Sequence, residues 1–163
     1  DLHSTSRRQR QMCIRDRHGV YVAHCPESNL NLSSGIAPVR KFLEEGIAVG
    51  LGSDVAGGSS LSMAKALTLA VQVSKMYWRL IDEKSKPLTF AEAFYLATAG
   101  GGSYFGKVGT FLDGYEFDAV VAEDHIAKDV REYTPIQRTE RMMYDESTMT
   151  ICAKYEAGCA CEL

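Results

Sequence analysis

The residues of this chain best suited to chemistry lie in two short runs. The first is Gly50-Leu51-Gly52-Ser53-Asp54-Val55-Ala56-Gly57-Gly58, a glycine-rich turn with one carboxylate, Asp54. A carboxylate at the carboxyl end of a parallel barrel strand can bind a metal or move protons, and the glycines around it leave room for a substrate. Two other readings compete. Gly50-x-Gly52 could open a dinucleotide-binding fingerprint, but Val55 takes the third glycine's place and Asp54 would repel phosphates. Asp54 could also be no more than the cap of a helix. The second run is Ala23-His24-Cys25-Pro26-Glu27-Ser28-Asn29-Leu30. His24 closes an apolar stretch, and on a parallel strand it should face the same side of the sheet as Asp54, one βα unit away. Its plainer role is that of a hydrogen-bonded structural residue. Met63, Met76, Tyr77 and Trp78, at helical spacing, read as core or interface and carry no chemistry.

The elements that must hold these runs alternate between strand and helix. Gly19 to His24 reads as a buried parallel strand, followed by a polar loop from Cys25 to Leu32 in which Pro26 bars an early helix. Ser33 or Ser34 can cap a helix with Pro38 in its first turn and Ile36, Val39, Phe42 and Leu43 on one face. Gly46 stands where a left-handed residue ends that helix, and Ile47 to Gly52 is a second buried strand. Together they form a βαβ unit. A long helix over about Leu61 to Asp82 follows, with Leu61, Ala64, Leu67, Val71 and Trp78 near one face. Thr89 and Glu92 have capping-box spacing before a further helix that Gly100 to Gly102 ends. In the tail, Phe117 to Ala122 reads as a strand and Thr134-Pro135 starts a helix. Met149 to Tyr155 with Ala160 to Leu163 reads as a hairpin around Ala157-Gly158.

The chain has 163 residues, a formal charge of -3 and 45% apolar residues, enough for one globular domain or a piece of a larger one. So weak an acidity draws neither nucleic acid nor an anionic membrane, and no stretch approaches the roughly 20 apolar residues that span a bilayer. The charge is uneven. Residues 1–17 hold five arginines and two aspartates, with no apolar period and no aromatic residue to stack on bases, so they read as a leader unrelated to the rest. Five cysteines, Cys13, Cys25, Cys152, Cys159 and Cys161, lack metal-ligand spacing and fit reduced thiols in a cytoplasmic compartment, with Cys25 and Cys152 packed as small apolar residues.

His24-Cys25-Pro26-x-Ser28-Asn29-Leu30, Leu32-Ser33-Ser34-Gly35 and Ser53-Asp54-Val55-Ala56-Gly57-Gly58 together resemble the last third of the guanine deaminases, zinc-dependent members of the amidohydrolase superfamily. Leu96-Ala97-Thr98 and Gly109 to Asp118 extend the likeness. The resemblance implies an α/β fold, the carboxyl-terminal part of a (β/α)8 barrel containing its last two βα units, plus strands of a small β domain. It divides the chain into a non-native or disordered leader at 1–17, a partial barrel at 18–108, and a return to the small β domain at 109–163 with its terminal helix and hairpin. It implies one zinc ion in the complete enzyme, a zinc-bound hydroxide that converts guanine to xanthine and ammonia, and a cytoplasmic homodimer. Asp54 matches the aspartate that binds zinc and shuttles the water's proton. His24, Ser28 and Asn29 match positions beside the substrate pocket. The remaining histidines, His3, His18 and His125, form no H-x-H pair. The expectation is therefore that this polypeptide alone neither holds zinc tightly nor turns over guanine. The alternatives are a part of another amidohydrolase, a deaminase or chlorohydrolase acting on a heterocycle, and a non-catalytic α/β module that packs against another chain.

Overall fold

The computed structural model describes residues 19–125 and 132–162. The arginine-rich segment, His3 and His18 lie outside them. Two parallel strands, β1 (Tyr21–His24) and β2 (Ala48–Leu51), pair in the register Tyr21↔Ala48 to His24↔Leu51. Both carry apolar residues on the face that meets the helices. Val22 and Val49 pack there with Val39, Ala70, Leu88 and Leu96, and burial of this kind yields roughly 1.5–3 kcal/mol per large apolar side chain.

The connection between the strands differs from its expected form. Residues 25–32 are not a loop, because helix α1 (Pro26–Asn31) starts on the proline itself. Proline loses nothing there, since the first helical N–H has no intrahelical acceptor anyway. Ser33 and Ser34 do not cap the next helix. Ser33 (φ +53) and Gly35 (φ +100) turn the chain, and the Ser34 hydroxyl bonds back to the Asn29 carbonyl at 3.4 Å. Helix α2 (Val39–Glu44) begins five residues later, with Pro38 as its N-terminal flank. Gly46 ends it at φ +72, as the sequence pattern requires.

Helix α3 (Met63–Leu80) is shorter at both ends than the apolar pattern suggests, about 27 Å long. The Ser62 hydroxyl, accepting from the Lys65 N–H at 3.1 Å, fixes its start. Leu67, Ala70, Val71 and Val73 are buried, whereas Leu61 and Trp78 lie on the surface. Helix α4 (Phe90–Tyr95) opens with the Thr89–Glu92 capping box and widens into a π turn over Leu96–Gly100. Arg40 of α2 grips its first turn with two charge-assisted bonds to Glu92, at 2.6 and 2.7 Å, and donates to the carbonyls of Lys86 and Pro87. Arg40 above all, with Thr89, holds the Glu92 carboxyl well below the usual range, at about 2.

The remaining strands form an antiparallel sheet in the order β3 (Ala119–Asp124), β4 (Met149–Glu156), β5 (Cys159–Cys161). Ala157 (φ +49) and Gly158 (φ +79) make the two-residue turn of its hairpin. Helix α5 (Pro135–Tyr144), with a Thr134–Gln137 capping box, connects β3 to β4 and places Met143 against Leu67 and Val71. Cys25 is half-buried, but Cys152 is exposed on β4 and not packed as an apolar residue.

Candidate functional site

Asp54 leaves the carboxyl end of β2 three residues after Leu51 and is exposed. It caps no helix, because α3 begins at Met63 behind Ser62. Its backbone is left-handed, at φ +45, and that of Ala56 is at +90; neither residue is glycine. Such conformations cost of order 1–3 kcal/mol and persist where surrounding bonds over-determine them. Those bonds are visible. The Gly58 N–H donates to the Asp54 carbonyl at 2.6 Å, and the Ala56 N–H donates to the Gly58 carbonyl at 3.0 Å.

Helix α1 clasps the same loop at three points. The Ser28 hydroxyl donates to Asp54 Oδ2 at 2.6 Å. The Asn31 side-chain amide donates to the Gly57 carbonyl at 2.9 Å. Glu27 accepts from the Ser59 hydroxyl and from Lys65 Nζ, both at 2.5 Å, and these bonds draw its carboxyl below the ordinary value. Glu27, Asn31, Ser59 and Lys65 were not singled out from sequence. The one cue in the sequence is the four-residue spacing of Glu27 and Asn31, which sets both on one side of α1.

The four expected site residues divide between two places. Ser28 and Asp54 meet. His24 does not join them: as Val22 faces the helices, so does His24 two residues on, and it lines a small cleft with Pro26, Asn29, Ile36 and Val73. It is 2% exposed, with no hydrogen bond to either ring nitrogen among the described residues, and burial lowers its pKa from 6.5 to about 4. Asn29 shares that cleft, and its side-chain oxygen accepts from the Ser34 hydroxyl at 3.3 Å. Cys25 lies nearer Asp54, and burial, then the Asp54 charge, pushes its thiol pKa upward. Its sulfur fills the place beside Gly52, 2.9 Å from where a Cβ would stand. Gly50 is filled likewise by the Tyr21 hydroxyl, which donates to the Gly100 carbonyl at 2.8 Å. The glycines of Gly50-x-Gly52 therefore admit protein atoms, and no phosphate is needed to explain them.

Among the described residues, no three of His, Cys, Asp or Glu come together to hold a metal ion. His125 bonds Thr150 in the tail sheet at 2.8 Å. A cleft of about 780 Å³ lies elsewhere, between the π turn and the β3–β4 sheet, and holds none of the four expected residues. No helix among the described residues is long and apolar enough to cross a membrane.

Comparison with known proteins places these features in a family. The model of the amidohydrolase family matches residues 2–151. Guanine deaminase of Mus musculus is 44% identical over 117 residues, which cover 69% of this chain and 25% of the mouse enzyme. The crystal structure of guanine deaminase from C. acetobutylicum, with guanine bound in its active site, is 41% identical with a TM-score of 0.83, over 93% of this chain and 36% of that one. An adenosine deaminase from Xanthomonas campestris with bound zinc shares the fold at 21% identity and a TM-score of 0.71, over 93% of this chain and 34% of that one. The chain spans about a quarter of the length of the curated relatives it matches. With an α/β arrangement that superposes on these hydrolases and a family match across most of its length, the chain belongs to the amidohydrolase family.

Proposed function

We propose that this chain forms the carboxyl-terminal part of a guanine deaminase, the enzyme that hydrolyses guanine to xanthine and ammonia. In this reading β1 and β2 are the last two strands of a (β/α)8 barrel within residues 18–108. Residues 109–163 contribute to a small β domain, and 1–17 stand apart from both. The observation that carries the proposal is Asp54, exposed beyond the carboxyl end of a parallel strand and held there by Ser28, in a chain 41% identical to a guanine deaminase over 93% of its length. Four free cysteines among the described residues suit a cytoplasmic setting.

The family implies zinc. An ion of that kind takes about four nitrogen, sulfur or oxygen donors, at least three of them from protein. Around Asp54 the described residues bring a serine hydroxyl and a protonated thiol but no imidazole, and no three ligating side chains converge. That donor set does not fit a zinc ion by itself.

Asp54 has a defined part in the hydrolysis. Water adds to the carbon that bears the exocyclic amine, and its proton must reach the departing nitrogen for ammonia to leave. A carboxylate with one oxygen engaged by Ser28 and the other open can take that proton from water and return it to the amine. Burial, then the Asp54 charge, raises the Cys25 pKa and so favours the neutral thiol beside the carboxylate.

Ammonia release from guanine tests the proposal. The chain alone should release none. Co-expressed with the complementary amino-terminal segment of a guanine deaminase, it should turn over guanine, and Asp54→Asn should lower that rate by about 10²–10⁴-fold. Restored turnover that Asp54→Asn leaves within about twofold would remove Asp54 from the reaction.

A further inference from the structure

We infer that Ser28 is a positioning residue for the Asp54 carboxylate and touches no substrate, an assignment that rests on the reading of Asp54 as the carboxylate of the site. Ser28 is 4% exposed, and its hydroxyl is committed to Asp54 Oδ2, to which it donates at 2.6 Å. An aspartate side chain turns about two torsions, and an exposed one samples several of their staggered wells. A buried hydroxyl donating to the charged oxygen selects one of them, because bonds to ionised acceptors are about twice as strong as neutral ones.

The two oxygens are thereby made unequal. Oδ2 is engaged by Ser28, whereas no hydrogen bond from the described residues reaches Oδ1. A donated hydrogen bond stabilises negative charge on the oxygen that accepts it, so Oδ1 is the oxygen left to exchange a proton with a reacting group.

The neighbourhood keeps Ser28 where this requires. Its helix is tied on either side of it, by Glu27 to Ser59 of the loop and to Lys65 at the start of α3, and by Asn31 to Gly57 of the loop. Gly57 gives the pair room: a Cβ there would stand 2.5 Å from Ser28 Oγ and 2.7 Å from Asp54 Oδ2. Position 57 can therefore disturb the pair without removing either of its polar groups.

Three-bond couplings from Asp54 Cγ to the backbone nitrogen and carbonyl carbon, measured by NMR on the purified 163-residue chain at a concentration where it sediments as a monomer, read the side-chain rotamer directly. The wild type should occupy one staggered well. In Ser28→Ala the ratio of that well to the others should fall about tenfold, the equivalent of one hydrogen bond. Ser28→Thr keeps the hydroxyl and should keep the rotamer, while Gly57→Ala should average it as Ser28→Ala does. A rotamer unchanged in Ser28→Ala, or lost equally in Ser28→Thr, would overturn the inference. The couplings need neither substrate nor turnover. A rotamer lock that persists while Asp54→Asn spares the restored activity would refute the catalytic reading and leave the positioning intact.

Discussion

His24 shows at the scale of one residue how a position can lie beside a site in sequence and apart from it in space. Its ring is buried with two nitrogens that no described residue partners, an arrangement that costs about 1–3 kcal/mol relative to a satisfied group. Burial lowers its pKa from 6.5 to about 4, so an unfolded chain takes up the proton at higher pH than the folded one. Stability is therefore full above about pH 6.5 and falls as the pH drops towards 4, by on the order of 3 kcal/mol from this residue alone. His24→Leu should abolish that slope and equal or exceed the wild type in stability at pH 5. Urea unfolding at a series of pH values measures both, and a slope unaltered in the variant would show that His24 does not cause it. The place of Asp54 beyond the carboxyl end of β2 was legible because the apolar run before it marks the strand and the glycines after it mark a turn. The environment of His24 was less so, because it comes from Ile36, in the segment before α2, and from Val73 of α3.

At the scale of elements, periodicity marked what it can mark. Both parallel strands, the long helix, the Thr89–Glu92 capping box, the helix start at Thr134-Pro135 and the hairpin stand close to their expected positions. Helix α1 escaped because six residues carry too little periodicity to register, and because proline stops a helix only from inside it. The start of α2 moved because Ser33 and Ser34 are used to turn the chain, a competition between capping and turn formation that local sequence leaves undecided. Gly46 offers a clean test of an element boundary. It holds φ +72 with no heavy atom within 4 Å of where a Cβ would stand, so Gly46→Ala meets backbone strain and nothing else. The substitution should destabilise the chain by about 1 kcal/mol with an unchanged denaturant slope. A neutral result would mean that the connection from α2 to β2 relaxes out of the left-handed region.

For the whole molecule, the described residues contain a parallel sheet of only two strands, each with its outer edge unpaired. A pair of strands gains independent stability only by packing against other elements, and an open edge invites pairing with another chain. Exposed apolar side chains, including Phe111, Val120 and Val121, add to that tendency. The chain should self-associate with rising concentration, and the complementary amino-terminal segment of a guanine deaminase should suppress the association. Sedimentation velocity distinguishes the cases, and a monomer at all soluble concentrations would show that the edges are closed in solution. The family was readable from motifs. Length alone left open whether the chain is one domain or a piece of a larger one, because 163 residues can bury a core whether or not they complete a barrel.

The filled places beside Gly50 and Gly52 bear on what substitutions the chain tolerates. Tyr21 and Cys25, from β1 and the residue just after it, occupy the space that side chains at 50 and 52 would need, and Gly101 Cα is a second neighbour at the first place, 2.8 Å from where the Cβ would be. Size is thus shared between partners: bulk at 21 demands its absence at 50, and the sulfur at 25 demands its absence at 52. A smaller residue at 21 opens only part of the space at position 50, because the Gly101 backbone remains, and the exchange also forfeits the bond to Gly100. The glycine pattern that first suggested a ligand is the negative relief of the neighbouring strand, and what varies at either position is constrained as a pair.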